Sequence, residues 1–162
     1  MDLVDRYGQD GCGRADELPT AETVKTGLSR LLAIQEQLLD NLHSLRDLVR
    51  WRDEMVRLEQ TRDDGTCPLG DLADLLAGGD EAGRSAVRAC FAAWESLLAD
   101  GITRVRDNGE LAADTDPERL ATGLMAALQG GLLLARTTRD VWRLEVALDI
   151  ALDYVRTHAV TP

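Results

Sequence analysis

The chain has 162 residues, of which 44% are apolar, 4% aromatic and 29% charged. A single domain of this length buries roughly two-thirds of the surface that its unfolded chain exposes, so it needs neither a disulfide nor a structural metal to fold. Acidic side chains outnumber lysine and arginine by 29 to 18, and the net charge of −11 repels phosphate, which argues against direct DNA binding.

The N-terminal segment, residues 1–19, is net acidic and has no sustained apolar period. It predicts a flexible acidic arm in front of a helical domain at 20–162, and since it is not a secretory signal we expect a cytoplasmic protein. Cys12, Cys67 and Cys90 are widely spaced, without a paired cysteine motif or a neighbouring histidine cluster. We therefore expect free thiols, no metal site and no cofactor.

Helices follow one another from Thr20 onward. Leucines recur at three- and four-residue steps from Leu28 to Leu42, which predicts an amphipathic helix. Ser44 followed by Asp47 forms a short version of the capping box and predicts a second helix that ends near Arg62.

A short helix is predicted at 71–77, where the glycine pair at 78–79 stops it. Negative charge at Asp80 and Glu81 favours the start of a long helix, and the sequence Asn108-Gly109 closes it.

Asp116 followed by Pro117 is a strong start signal for the next helix, which should run to about Thr137. The last helix is expected from about Arg139 to His158 after a tight turn. The sequence thus predicts an all-α fold of about six helices.

The segment from Ala121 to Ala135 carries no charge, so its helix should be covered on nearly every side. Fifteen residues fall short of the ~20 that a membrane span needs, and Arg119 and Arg136 bracket them. A buried interface helix fits this pattern better than a transmembrane one.

Small residues repeat along this uncharged helix at four-residue intervals, at Gly123, Ala127 and Gly131, and Gly130 adds a further gap. Each glycine inside a helix costs about 1 kcal/mol relative to alanine, and close contact with another helix would offset that cost.

The last helix offers two apolar faces, and one can serve the core of the subunit while the other contacts a second subunit. The first face consists of Val141, Leu144, Leu148, Leu152 and Val155, and the second of Ala147, Ile150, Ala151 and Tyr154.

Three strings in this order resemble one branch of the TetR family of regulators: LRDLVRWRD at 45–53, CPLG at 67–70 and LQGGLLLAR at 128–136. The resemblance covers most of 45–157 and concerns the C-terminal half of such regulators. The coupling of the second string with the third is the more specific part of it.

The resemblance implies an all-helical regulatory domain whose last two helices pair with those of a second subunit in a four-helix bundle. It also implies a pocket for a small hydrophobic molecule, with walls at 45–62, 85–106 and 117–137. The predicted interface residues are Gly123, Ala127, Gly130, Gly131, Leu134, Leu144, Leu148, Ala151 and Val155.

Apolar residues at helical spacing within those walls are the candidate ligand contacts. The candidates are Trp51, Met55, Leu58, Phe91, Trp94, Leu98, Met125 and Gln129. The alternative interpretation is that the apolar members simply fill the core. The amide of Gln129 needs a polar partner, and a ligand or the second subunit would serve equally well.

No catalytic residue is predicted, because neither His43 nor His158 has an acid or a nucleophile arranged around it. Regulators of this family open with a helix-turn-helix domain, and the sequence before Thr20 predicts none. We therefore expect a homodimer that captures a ligand or pairs with a full-length TetR-family regulator, without direct DNA or membrane binding. An enzyme that uses the same cavity and a truncated repressor are the alternatives.

Overall fold

The computed structural model describes residues 21–61 and 81–160. Within these ranges five helices follow one another, and beyond an isolated bridge between Leu111 and Ala159 no strand is present. The helices are α1 (Ala21–Leu39), α2 (Leu45–Gln60), α3 (Glu81–Asp107), α4 (Pro117–Thr138) and α5 (Trp142–Arg156). The all-α prediction is confirmed, whereas the predicted arm at 1–19 and the predicted short helix at 71–77 lie outside the described residues.

Two helices begin where their sequence signals place them. Ser44 caps α2: its Oγ accepts a hydrogen bond from the Asp47 N–H at 3.1 Å, and its hydroxyl donates to Asp47 Oδ2 at 2.6 Å. Asp116 caps α4 by accepting from the Arg119 N–H at 3.1 Å, and Pro117 occupies the first turn. These contacts satisfy N–H groups that a helix start leaves without partners inside the helix.

The connection between α4 and α5 is longer than the sequence predicts, because α5 begins at Trp142 rather than near Arg139. Arg139 adopts a left-handed conformation with φ of 52° and ends α4, and the Asp140 N–H donates to the Ala135 carbonyl. Asp140 Oδ1 then accepts from the Trp142 N–H at 3.2 Å. A left-handed residue followed by a side-chain cap is a local geometry that apolar periodicity does not reveal.

Helices α1 and α3 run parallel and in contact. The Cys90 thiol lies 3.9 Å from the Leu28 carbonyl oxygen, and just beyond the end of α1 the Leu42 side chain lies 3.2 Å from the position of a Cβ on Gly101. Residues 28 and 35 are seven apart, so Gln35 lies on the same face of α1 as Leu28.

Helices α4 and α5 form an antiparallel hairpin with an unusually close seam. A Cβ on Gly131 would lie 2.9 Å from Leu144 Cδ1, 3.1 Å from the Leu144 Cα and 3.2 Å from the Ala147 Cβ. The absence of a side chain at Gly131 therefore allows the two backbones to approach.

Two ion pairs attach α2 to this hairpin. The Arg52 guanidinium donates to Asp149 Oδ2 on α5 at 2.9 Å, and its Nε lies 2.8 Å from Asp149 Oδ1. Glu59 accepts two hydrogen bonds of 2.9 Å from the guanidinium of Arg136 on α4, and its side chain is only 8% exposed. Two parallel N–H···O bonds fix the orientation of the two side chains in addition to attracting them.

Among the helices at 21–61 and 81–160, none combines the length and the apolar character that a membrane-spanning segment requires.

Candidate functional site

The apolar candidate ligand contacts converge although they come from three different helices. We call the following residues the aromatic cluster: Trp51, Met55 and Leu58 from α2, Phe91, Trp94 and Leu98 from α3, and Met125 from α4. All belong to one hydrophobic core, in which Leu58 and Phe91 are half-buried and the others buried. Because this core also contains most of the other buried apolar residues, their assignment as ligand contacts stays a prediction.

A buried amide that the sequence analysis did not single out lies beside this cluster. Gln35 on α1 is 1% exposed, and its Oε1 accepts a hydrogen bond of 3.1 Å from Trp51 Nε1. Its Nε2 donates to the Met55 sulfur at 3.5 Å. Because a thioether is a weak acceptor, the Gln35 amide retains donor capacity inside an apolar environment.

The sequence did contain a signal for Gln35. It interrupts a stripe of leucines, of which Leu28, Leu39 and Leu42 contact α3 in the structure. A polar residue in the middle of an apolar stripe has to find a partner, as was argued for Gln129.

The two buried indoles of the aromatic cluster differ in their hydrogen bonding. Trp51 Nε1 has Gln35 as its acceptor, whereas Trp94 Nε1 has no acceptor in the part of the chain that the structure describes. Trp94 is 2% exposed, so water does not replace the missing partner at the surface of the subunit. An unpaired donor of this kind costs about 1–3 kcal/mol.

Gln129 is half-buried on α4, next to the buried Leu128 and the exposed Gly130. This position lies at the border between the core and the outer surface of the α4–α5 hairpin. Its assignment to a ligand or to a second subunit stays a prediction.

The predicted interface residues divide into two groups in the single subunit. The structure places Gly131, Leu144, Leu148 and Val155 in the core of their own chain. Ala127 and Ala151 are half-buried, whereas Gly123, Gly130 and Leu134 are exposed. The first apolar face of α5 thus packs inward, because Leu144 lies directly against α4 at Gly131.

The outer side of the α4–α5 hairpin exposes apolar side chains next to the seam. Leu133 and Leu134 are 47% and 49% exposed on α4, and Ile150 and Tyr154 are 66% and 49% exposed on α5. These four residues and Gly130 are called the α4–α5 apolar face. The expectation that the uncharged helix is covered on nearly every side therefore fails within one subunit, because this face is open.

An open groove of about 630 Å³ lies elsewhere, between α3 and the start of α4. Carboxylates of Glu95, Asp100, Asp116 and Glu118 line it together with Arg106. None of the candidate ligand contacts lines this groove, and its acidic lining does not suit an apolar ligand.

The surroundings of Cys90, His43 and His158 do not indicate a reactive thiol or imidazole. Burial raises the pKa of the Cys90 thiol, so little reactive thiolate forms at neutral pH. His43 is exposed, and His158 packs edge-on against the Tyr154 ring with the centroids 5.3 Å apart. Across 21–61 and 81–160 no group of three or more histidine, cysteine, aspartate or glutamate residues could hold a metal ion.

Comparison with known families gives one match. A family model described as the tetracyclin repressor-like C-terminal domain matches residues 27–151, which is most of the chain and includes all five described helices in whole or in part. Searches of the curated proteins and of the solved structures found no match.

Proposed function

Since the chain belongs to the family of tetracyclin repressor-like C-terminal domains, we propose that it is a homodimeric regulatory module that binds a small hydrophobic molecule. The observation that carries this proposal is the aromatic cluster, in which three helices contribute to one apolar region. Ligand sites in helical proteins are commonly built between helices from apolar and aromatic side chains with few polar groups.

The composition of the cluster supports an apolar ligand. Its members are aromatic rings, leucines and methionines, and methionine adapts readily to ligands of different shape. The polar atoms that accompany them include the indole nitrogens of Trp51 and Trp94 and the amide of Gln35. A few polar groups among apolar ones orient a ligand and discriminate between related molecules.

The α4–α5 apolar face supports the dimer. Large apolar side chains exposed together on one surface mark an interaction site more often than an ordinary surface. Gly130 and Gly123 lie on the outer side of α4, and a Cβ on either would meet no other atom within 4 Å in its own subunit. The room beside these glycines would admit a helix of the second subunit, with the two hairpins forming a four-helix bundle.

The next part of the proposal concerns how the module would regulate its target. We propose that the module acts by capturing its ligand or by pairing with a full-length TetR-family regulator through the same face. A mixed dimer would carry a single reading arm of the regulator and would bind a two-fold symmetric operator less tightly. The net charge of −11 favours a protein partner over direct contact with DNA.

Native mass spectrometry of protein purified from its own host tests both parts of the proposal. We expect a dimer that carries a bound small molecule of low polarity. Ile150→Arg should raise the dimer dissociation constant roughly a hundredfold, because an unpaired charge at the centre of an apolar interface costs about 3 kcal/mol.

Val160→Arg is the matched control, since Val160 is 53% exposed and lies outside the α4–α5 apolar face. It should leave the dimer intact. A wild-type protein that is monomeric at micromolar concentration and carries no small molecule would contradict both parts of the proposal.

A further inference from the structure

We propose that the ligand is an uncharged, mostly apolar molecule with a carbonyl oxygen, and that this oxygen accepts a hydrogen bond from Trp94 Nε1. This inference rests on the proposed function, because it assigns the chemistry of the same ligand site. It makes Trp94 the residue that selects among apolar molecules of similar shape.

The first argument is the unpaired donor. Buried indole N–H groups usually have an acceptor, and Trp51, in the same cluster, has one in Gln35. Trp94 is equally buried and has none in the described residues. A ligand oxygen would satisfy the one indole of the pair that lacks an acceptor.

The second argument is the position of Gln35 relative to Trp94. The contact between the Leu28 carbonyl and the Cys90 thiol sets the register of the parallel helices α1 and α3, and Trp94 follows Cys90 by about one turn of α3. Because both helices rise equally per residue, Gln35, seven residues after Leu28, lies level with about residue 97 of α3, within one helical turn of Trp94.

This register brings a second polar group to the same part of the core. The Gln35 carbonyl oxygen is oriented toward Trp51, while its Nε2 has only the Met55 sulfur as a described acceptor. Trp94 Nε1 and Gln35 Nε2 are therefore two donors on packed helices within about one turn of each other, and a carbonyl oxygen has two lone pairs with which to accept.

The third argument is charge. In the described residues the aromatic cluster contains no charged side chain, and the buried polar residues are Gln35 and Thr115. A carboxylate in this part of the core would lack a counter-charge, and its burial would be strongly unfavourable. A ketone, ester or amide oxygen accepts the same hydrogen bond without that cost.

Three probes of one shape and different polarity test the inference: benzylacetone, butylbenzene and phenylbutyrate. They share a phenyl ring and a short chain, and they carry a ketone, no oxygen and a carboxylate, respectively. We expect benzylacetone to bind more tightly than butylbenzene by about tenfold, the ratio expected for one buried hydrogen bond. Phenylbutyrate should bind least.

The chain contains three tryptophans, so ¹⁵N-labelled protein gives three indole signals, which Trp→Phe variants assign. Benzylacetone should shift the Trp94 indole proton downfield and leave that of Trp142, which is 59% exposed, unchanged. This measurement uses the wild-type protein and does not depend on the stability of any variant.

Trp94→Phe keeps an aromatic ring and removes the donor, so it should weaken benzylacetone binding about tenfold and change butylbenzene binding less than about twofold. Trp142→Phe is the control and should change neither. Equal affinities for benzylacetone and butylbenzene, with an unshifted Trp94 signal, would overturn the inference and leave the apolar site in place. If none of the probes binds, the inference is also wrong, and the bound mass found by native mass spectrometry separately decides the proposed function.

Discussion

The stability of the N-terminal end of α2 should depend on pH through the carboxylate of Asp47. Its carboxylate accepts from the Ser44 hydroxyl and the His43 N–H, and the pKa of this carboxyl lies below its usual value of 3.8, with the Ser44 hydrogen bond as the largest cause. A lowered folded-state pKa means that the charged form stabilises the fold above that usual value. The contribution is lost as pH falls through the folded-state pKa.

We therefore expect Asp47→Asn to lower the free energy of unfolding by less than about 1 kcal/mol near neutral pH, because it removes a favourable negative charge from the first turn and leaves the Ser44 cap in place. The difference from wild type should shrink when urea unfolding is repeated below the usual pKa of 3.8. Asp114→Asn, at an exposed loop position, is the control and should have little effect at either pH. An unchanged difference at low pH would show that the charge of Asp47 is irrelevant.

At the residue scale, the sequence predicts local contacts better than distant ones. The Ser44 and Asp116 caps involve atoms three residues apart, so the chain itself specifies them. The partner of Trp51 is sixteen residues away in a different helix, and its identity depends on how α1 packs. The unpaired nitrogen of Trp94 depends on that packing too, which is why spacing could nominate the residue but not its role.

The glycines of α4 are equivalent in the sequence and different in the fold. Gly131 lies at the seam with Leu144, whereas a Cβ on Gly130 would meet nothing within 4 Å. Gly131→Ala should lower the free energy of unfolding by about 1–3 kcal/mol, because the backbone of α5 must move. Gly130→Ala should raise it by about 1 kcal/mol, since alanine favours a helix.

Urea unfolding in the Ile150→Arg background measures both glycine effects without a contribution from subunit pairing. In the wild-type background Gly130→Ala should instead weaken the dimer, if the second subunit occupies the space beside it. Equal effects of the two substitutions in the Ile150→Arg background would contradict the close seam at Gly131.

The sequence identifies two apolar faces of α5 but does not show which of them packs against the core. Both are apolar at helical spacing, and both are long enough to line an interface. The choice is made by the approach of Gly131 to Leu144, which turns Leu148 and Val155 inward and leaves Ile150 outside. Helix periodicity identifies faces, whereas only the neighbouring helix determines what covers each of them.

At the scale of the whole molecule, the C-terminal end of α3 is hydrogen-bonded to the turn that connects α1 and α2. Arg104 donates to the Leu39 and Leu42 carbonyls at 2.6 and 3.2 Å, and Asn108 donates to the His43 carbonyl at 2.9 Å. Glu110, just beyond α3, accepts from the Leu45 N–H at 2.8 Å. These contacts bind groups that the helix ends leave unpaired.

Arg104→Met keeps the aliphatic stem and removes the donors, so it should lower the free energy of unfolding by about 1.5–3 kcal/mol, the range for hydrogen bonds to a charged group. Arg88→Met is the control on the same helix. Its ion pair with Glu81 is exposed to solvent and should contribute little to stability. Chemical denaturation of the two variants compares them directly. Similar decreases in the free energy of unfolding would contradict the proposed contribution of the Arg104 hydrogen bonds to the turn between α1 and α2.

The parallel packing of α1 on α3 has a consequence for the order in which the chain assembles. Contacts between these helices join residues 62 to 65 positions apart, whereas α4 and α5 are joined by only a three-residue connection. Closing the longer loop carries the larger entropic cost, so the hairpin of α4 and α5 should form first and α1 should dock late. Gln35 and the α1-facing side of Trp94 would then come together only in the last stage of folding, after the surface proposed for pairing already exists.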